Sequence, residues 1–432
     1  MASWLEVHAR GRARLKRRPP SERPHLIRSR VALAFLVFAV LAILSLTLAP
    51  GEPYSTPGPF DCIVCGERGL ADIILNIILF VPAGMLAARA FGARPAVVIG
   101  AAFLSGLIEI AQVVVPGRDS AVGDVIFNTA GGLVGLLLVA TADAWLRPGA
   151  RLRHIAAMVC GLLVPGLVAM TGWLARPTFS DAAWFSMQNP DLSHLVQYTG
   201  EVLSGRVGPV TLPASGWLPA ATRDSVHASL VAGDEIHVRV VAGEPPPGTV
   251  ALLAIYDAGQ REVLLLGPRF DDLLVRIRHV SDEVRIDRLD VRVRDALEGV
   301  TPGDTLDLRA TRNEGEYCLS IGGWTTCGLG MNATLGWSLL YGPGNLKAWS
   351  AAVVALGWAA TLAALLGFYA RDRFGTVVGV LGWLAAFIGV PAVDPYILAT
   401  PPAGVAAAAF GFLAAAVIGV RIDKSRAPRH DA

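Results

Sequence analysis

Seven polar side chains in the first third of the chain stand out by their spacing in an apolar background. Asp72 and Asn76 are four residues apart, Glu109 and Gln112 three apart, and Asp124 and Asn128 four apart. Arg118 lies in the short connection 116–123. Spacings of three and four put each pair on one helix face. Ionisable groups inside a membrane are costly, turn toward a bundle interior and mark function. Carboxylates, carboxamides and a guanidinium gathered together could hold a polar or phosphorylated headgroup. Alternatively, Glu109 could serve as a general acid or base on a lipid-linked substrate, with Asp124 fixing substrate or a cation. A structural reading stands beside these two. Asp72 and Asp124 would complement helix dipoles, and Asn76 and Asn128 would hydrogen-bond to neighbouring helices. No residue is assigned a catalytic role, and no metal or cofactor is expected.

Apolar helices must position these residues. A span needs roughly 20 mainly apolar residues. Eight stretches qualify: 31–48, 72–90, 96–115, 124–146, 154–174, 348–370, 374–390 and 401–420. Residues 1–30 carry nine Lys/Arg against two Glu, so the positive-inside rule places the N-terminus in the cytoplasm. Alternation then puts the basic segments 89–95, 147–153, 371–373 and the C-terminal tail on that same side. It puts the seven polar residues near the outer leaflet. Gly131, Gly132 and Gly135 would let helices approach closely.

Composition agrees with a membrane chain. The protein has 432 residues, 53 % hydrophobic and only 17 % charged, with a mean hydropathy of +0.51. Soluble domains carry about 25 % charged residues, and disorder needs low hydrophobicity with high charge. A net charge of +2 argues against nucleic acid as a partner. The charge is uneven: residues 175–345 hold 21 acids and 14 Lys/Arg. The chain therefore divides into a basic, disordered cytoplasmic tail (1–30), a five-span domain (31–174), an acidic extracytoplasmic domain (175–345), a three-span segment (346–420) and a cytoplasmic tail (421–432).

The run Asp72-x3-Asn76-x3-Phe80-x-Pro82-x-Gly84, then Glu109-x2-Gln112, Arg118, and Asp124-x3-Asn128-x2-Gly131-Gly132-x2-Gly135, resembles the VanZ-like family over about residues 31–146. The resemblance implies a small polytopic bacterial membrane module. The family's founding member is linked to low-level glycopeptide (teicoplanin) resistance, and no settled enzymatic activity comes with the family. The acidic domain and the last three spans lie outside the family core.

The acidic domain reads as strands at 235–242, 250–256, 262–266, 273–279, 306–310, 317–321 and 338–341, punctuated by Gly, Pro and Asp turns. Short strands without a long helical pattern point to an all-β sandwich or jelly roll. The segments 224–242, 250–257, 273–278 and 317–327 resemble the concanavalin A-like, laminin-G-type sandwich, which implies binding of carbohydrate or protein. Trp184, Trp217, Trp324 and Trp337 could stack on sugars or fill the core. Cys318 and Cys327 flank the turn Gly322-Gly323, and an oxidising compartment would make them a disulfide. Cys62 and Cys65 form a C-x-x-C, read as a local disulfide or as free thiols in a tight turn. Cys160 falls in the fifth span. The whole reads as a polytopic α-helical membrane protein of the bacterial plasma membrane with an inserted sandwich domain. Its partners would be the lipid bilayer and a lipid-linked precursor or wall glycan.

Overall fold

Long apolar runs free of charge fold as helices because, in lipid, a helix is the one open segment that satisfies its own backbone. The computed structural model describes residues 22–50, 62–64, 66–118, 120–192, 195–342 and 346–424. The tail 1–21, residues 425–432 and Cys65 lie outside the described residues. Seven described helices are long and apolar enough to cross a membrane, and Ala96–Gln112, at 17 residues, is shorter.

Helices α1 (Glu22–Thr47), α2 (Gly69–Phe91), α3 (Ala96–Gln112) and α4 (Val122–Ala140) come first. The expected span 124–146 is broken after α4, and α5 (Ala142–Leu146) is a separate turn. At the break the Thr141 N–H and Oγ1 both donate to the Leu137 carbonyl, at 2.9 and 2.7 Å. Then α6 (Ala150–Leu174) follows.

Contacts divide the chain into two compact units. The first comprises residues 1–49, 76–114 and 125–141, and the second comprises 50–75, 115–124 and 142–432. In the first unit Ile43, Phe80, Ala83 and Ile108 form the core. Glycine brings α2 and α4 together. A Cβ on Gly131 would lie 2.3 Å from the Ile77 carbonyl oxygen, on Gly135 2.3 Å from that of Val81, and on Gly84 2.4 Å from that of Gly132.

The second unit carries two six-stranded antiparallel sheets. The strands are β1 (Trp184–Gln188), β2 (Glu201–Val207), β3 (Val210–Thr211), β4 (Ser215–Trp217), β5 (Ile236–Val241), β6 (Leu253–Asp257), β7 (Glu262–Arg269), β8 (Asp272–Ile277), β9 (Val291–Val293), β10 (Thr305–Asn313), β11 (Glu316–Ile321) and β12 (Trp324–Leu329). Their orders are β4-β1-β6-β7-β8-β9 and β12-β11-β10-β5-β2-β3. Alternate residues of both sheets (Val238 and Val240; Leu264 and Leu266; Leu273 and Val275; Leu308 and Ala310) enter one buried core, so the domain is a β-sandwich.

Three sequence readings need correcting here. A 13-residue helix, α7 (Ala220–Ala232), interrupts the strands. Its signals were Pro219 at the start and Gly233 at the end, where φ is +82°; Val226 and Leu230 bury its inner face. Residues 338–341 are not a strand: Gly336–Leu339 is a 3-10 turn anchored by buried Trp337. Strand 273–279 ends early because the buried His279 precedes the short helix α8 (Val280–Glu283). Trp184 and Trp337 are buried, whereas Trp217 and Trp324 are exposed.

The last helices are α9 (Ala348–Phe368), α10 (Arg373–Leu384), α11 (Val390–Val393) and α12 (Pro402–Lys424). A π-turn, Ala385–Gly389, joins α10 to α11. Pro391 has no N–H to offer the Phe387 carbonyl, and Thr400 Oγ1 donates to that oxygen instead, at 2.8 Å. On α12 a stripe of Gly404, Ala408, Gly411, Ala415 and Gly419 is buried and meets α9, the small-residue packing of membrane helices. In the second unit α6 packs on α9 and α10, with Gly161 against Val378 and Gly382. Apolar length does not specify which helix a span will pair with. At one end of this bundle Arg153 contacts Asp372 at 2.8 Å and Asp423 at 3.1 Å, and Arg371 contacts Asp423 at 2.8 Å.

Candidate functional site

In the first unit a polar cluster is built on two helices. Ser105, Glu109 and Gln112 recur at helical spacing along one face of α3, and Asn128 comes from α4. All four are buried: Glu109 is 3 % exposed, Gln112 6 % and Asn128 2 %. Asn128 Nδ2 donates to Ser105 Oγ at 2.9 Å. Gln112 Nε2 donates to the carbonyl of Thr47, at the end of α1, at 3.0 Å. Each carboxamide uses its donor in this way. The acceptors Gln112 Oε1 and Asn128 Oδ1 are buried with no partner among the described residues. A buried acceptor without a donor costs roughly 1–3 kcal/mol. These two acceptors suit a ligand group bearing N–H or O–H. Ser105 was not singled out from sequence, although its place four residues before Glu109 was the signal.

Asn76 belongs to the first unit and follows Asp72 by one turn on α2. Asp72, Arg118 and Asp124 belong to the second unit. Asp72 and Asp124 occupy the first turns of α2 and α4, where a carboxylate faces the helix dipole favourably. The backbone N–H of Asp72 donates to Arg68 O at 3.0 Å, that of Asp124 to Ala121 O at 3.1 Å, and that of Arg118 to Val115 O at 3.3 Å.

The second unit holds its own polar cluster, which the sequence did not disclose. Before α2, Arg68 Nη2 pairs with Asp287 Oδ2 at 3.1 Å and donates to Leu340 O at 3.2 Å. The N–H of Leu70 donates to Arg285 O at 3.0 Å. Arg288 pairs with Glu67 and lies 3.5 Å from Glu262 Oε2. Arg276 holds Asp290 through two bonds. Burial pushes the Glu262 carboxyl up to about 7; Arg276 opposes this, and Asp290 and Asp282 add to it. Burial also pushes Asp290 up, but the Arg276 guanidinium overrides it and holds that carboxyl below its usual range. Across the core, His279 Nε2 meets Tyr317 Oη at 2.8 Å, and burial with the Arg312 charge holds the imidazole down at about 3.

Cys318 and Cys327 are joined, closing the β11–β12 hairpin. Cys62 is also disulfide-bonded, and Cys160 is a free thiol. Among the described residues no group of three His, Cys, Asp or Glu is arranged to hold a metal ion.

Seven apolar helices of spanning length beside two antiparallel sheets are compatible with a helical membrane part joined to a β domain. Residues 26–143 match the family model described as VanZ/LLP1, which supports a VanZ-like family for this segment. No curated protein and no solved structure matches the chain at a significant level.

Proposed function

We propose that this protein binds the polar headgroup of a lipid, or of a lipid-linked component of the bacterial envelope, in its VanZ-like module. The observation that carries the reading is the pair of buried acceptors, Gln112 Oε1 and Asn128 Oδ1, that have no donor among the described residues. A headgroup presenting hydroxyl, amide or ammonium hydrogens would satisfy them. All eight apolar helices would span the plasma membrane, both termini would be cytoplasmic, and the cluster would face the outer leaflet. The sandwich, of concanavalin A-like type, would bind a wall glycan or protein partner outside the cell, with exposed Trp217 and Trp324 as stacking surfaces. The family match extends this to glycopeptide susceptibility as the phenotype.

The test is native mass spectrometry of the protein purified from its own membrane in mild detergent, beside Glu109→Ala and Asn128→Ala. A defined lipid held by wild type should weaken about five- to tenfold in Asn128→Ala, the cost of one buried hydrogen bond. Glu109→Gln should retain more of it than Glu109→Ala. A wild type that holds no specific lipid, with all variants folded, overturns the reading.

A further inference from the structure

The first unit also contains an apolar cavity of about 340 Å³ between α1, α2 and α3. This volume lies within the range of small-ligand sites, roughly 300–1,000 Å³. Leu36 and Val40 line it from α1, and Phe80 and Gly84 from α2. From α3 it runs between Ala96 and Leu104, about 12 Å along the helix axis. Small residues hollow it out: Gly100 has nothing within 4 Å of where its Cβ would be. The lining has one charged member, Arg94, which is exposed at the mouth. Arg94 sits in the α2–α3 turn, which Gly92 makes possible at φ +89°. The turn leads directly into the amino end of α3, whose first turn has no acidic residue. The helix dipole and the guanidinium therefore both favour an anion at this mouth.

We infer that this cavity is a second binding site, one that takes a hydrocarbon chain capped by an anionic head, with the head on Arg94 and the chain between α1, α2 and α3. The chemistry is that of an anionic phospholipid acyl chain or of a free fatty acid. It does not depend on the polar cluster at Glu109, whose ligand needs hydrogen-bond donors rather than negative charge. The hydrocarbon chain fills the space between the three helices, and Arg94 selects the head.

The full-length protein in mild detergent would be titrated with phosphatidylglycerol, with phosphatidylcholine of the same chains, and with palmitate, and bound copies counted by native mass spectrometry. Wild type should hold one phosphatidylglycerol about fivefold more tightly than phosphatidylcholine, the effect of one basic residue near a lipid surface. Arg94→Gln, a change in an exposed turn, should erase that preference. Gly100→Leu should fill the cavity and abolish binding of all three probes. Gly106→Leu makes the same change on α3 at another open position outside the lining and should leave binding as in wild type. Displacement of phosphatidylglycerol by palmitate supports the shared chemistry, and retention of palmitate alone assigns the source to fatty acid. Binding of both phospholipids by wild type with equal affinity, binding of none of the three probes, or binding by Gly100→Leu equal to that of Gly106→Leu, overturns the inference.

Discussion

Two buried groups in the sandwich titrate with opposite consequences. Glu262 is held at about 7 against an ordinary 4.5. Its folded form binds the proton more tightly, so its contribution to stability is complete below pH 4.5 and is lost as the pH rises to 7. At about 1.4 kcal/mol per tenfold in proton affinity, the loss is on the order of 3 kcal/mol. His279 is held at about 3 against an ordinary 6.5. Its contribution is complete above pH 6.5 and is lost as the pH falls toward 3. Thermal unfolding between pH 4.5 and 7 should separate the two. Glu262→Gln should unfold with a Tm that rises more steeply with pH than that of wild type. A wild-type-minus-variant difference that stays constant across this range would show that Glu262 does not titrate there. Neither group was legible in the sequence, because burial of Glu262 depends on β6 and β8 lying on either side of β7. By contrast, Glu109 and Gln112 could be picked out from their spacing, since one apolar helix, α3, sets their common face, and Asn128 from its spacing to Asp124 on α4. The sequence could not show which atoms of Gln112 and Asn128 would lack a partner among the described residues.

Helix pairing depends on where glycine leaves room. On α4, Gly131 lies against the Ile77 carbonyl of α2, and a methyl group there has nowhere to go. On α3, Gly106 has open space. Gly131→Ala should therefore destabilise by roughly 1–3 kcal/mol through overpacking, while Gly106→Ala should be neutral or stabilise by up to about 1 kcal/mol through helix propensity. Chemical unfolding in detergent, followed by circular dichroism, checks both, and equal effects would remove glycine packing as the basis of the α2–α4 contact. The long helices were legible because an apolar run of sufficient length has few alternatives to a helix. Their partners were not, since an apolar run does not show which helix a glycine such as Gly161 will meet. The helix α7 was missed for a different reason: its mixed sequence, with one buried face of three residues, carries little periodic signal beyond the proline and glycine at its ends.

In the second unit the sandwich is tied to the amino end of α2. The N–H groups of Leu70 and Ala71 both donate to Arg285 O, and Arg68 bridges to Asp287 and Leu340. Burial pushes the Asp287 carboxyl up and Arg68 pulls it back, so removing Arg68 alone would leave a buried, poorly compensated charge. Single loss of one partner in such a pair is more damaging than loss of both. The double variant Arg68→Ala/Asp287→Asn should therefore recover part of the stability lost in Arg68→Ala. A coupling of about 1 kcal/mol is the scale for a pair this exposed. The same bond should be readable in motion. Hydrogen exchange at residues 69–75 should accelerate in Arg68→Ala, while the core strand β7 keeps its protection. This bond gives the sandwich a physical route to the first turn of α2, where Asp72 lies, and a route of this kind counts only when coupling is measured along it. Unchanged exchange at residues 69–75 in Arg68→Ala, with additive single and double variants, would mean that the α2 end is held by the backbone bonds to Arg285 alone, and that the ion pair carries no information from the sandwich toward the membrane.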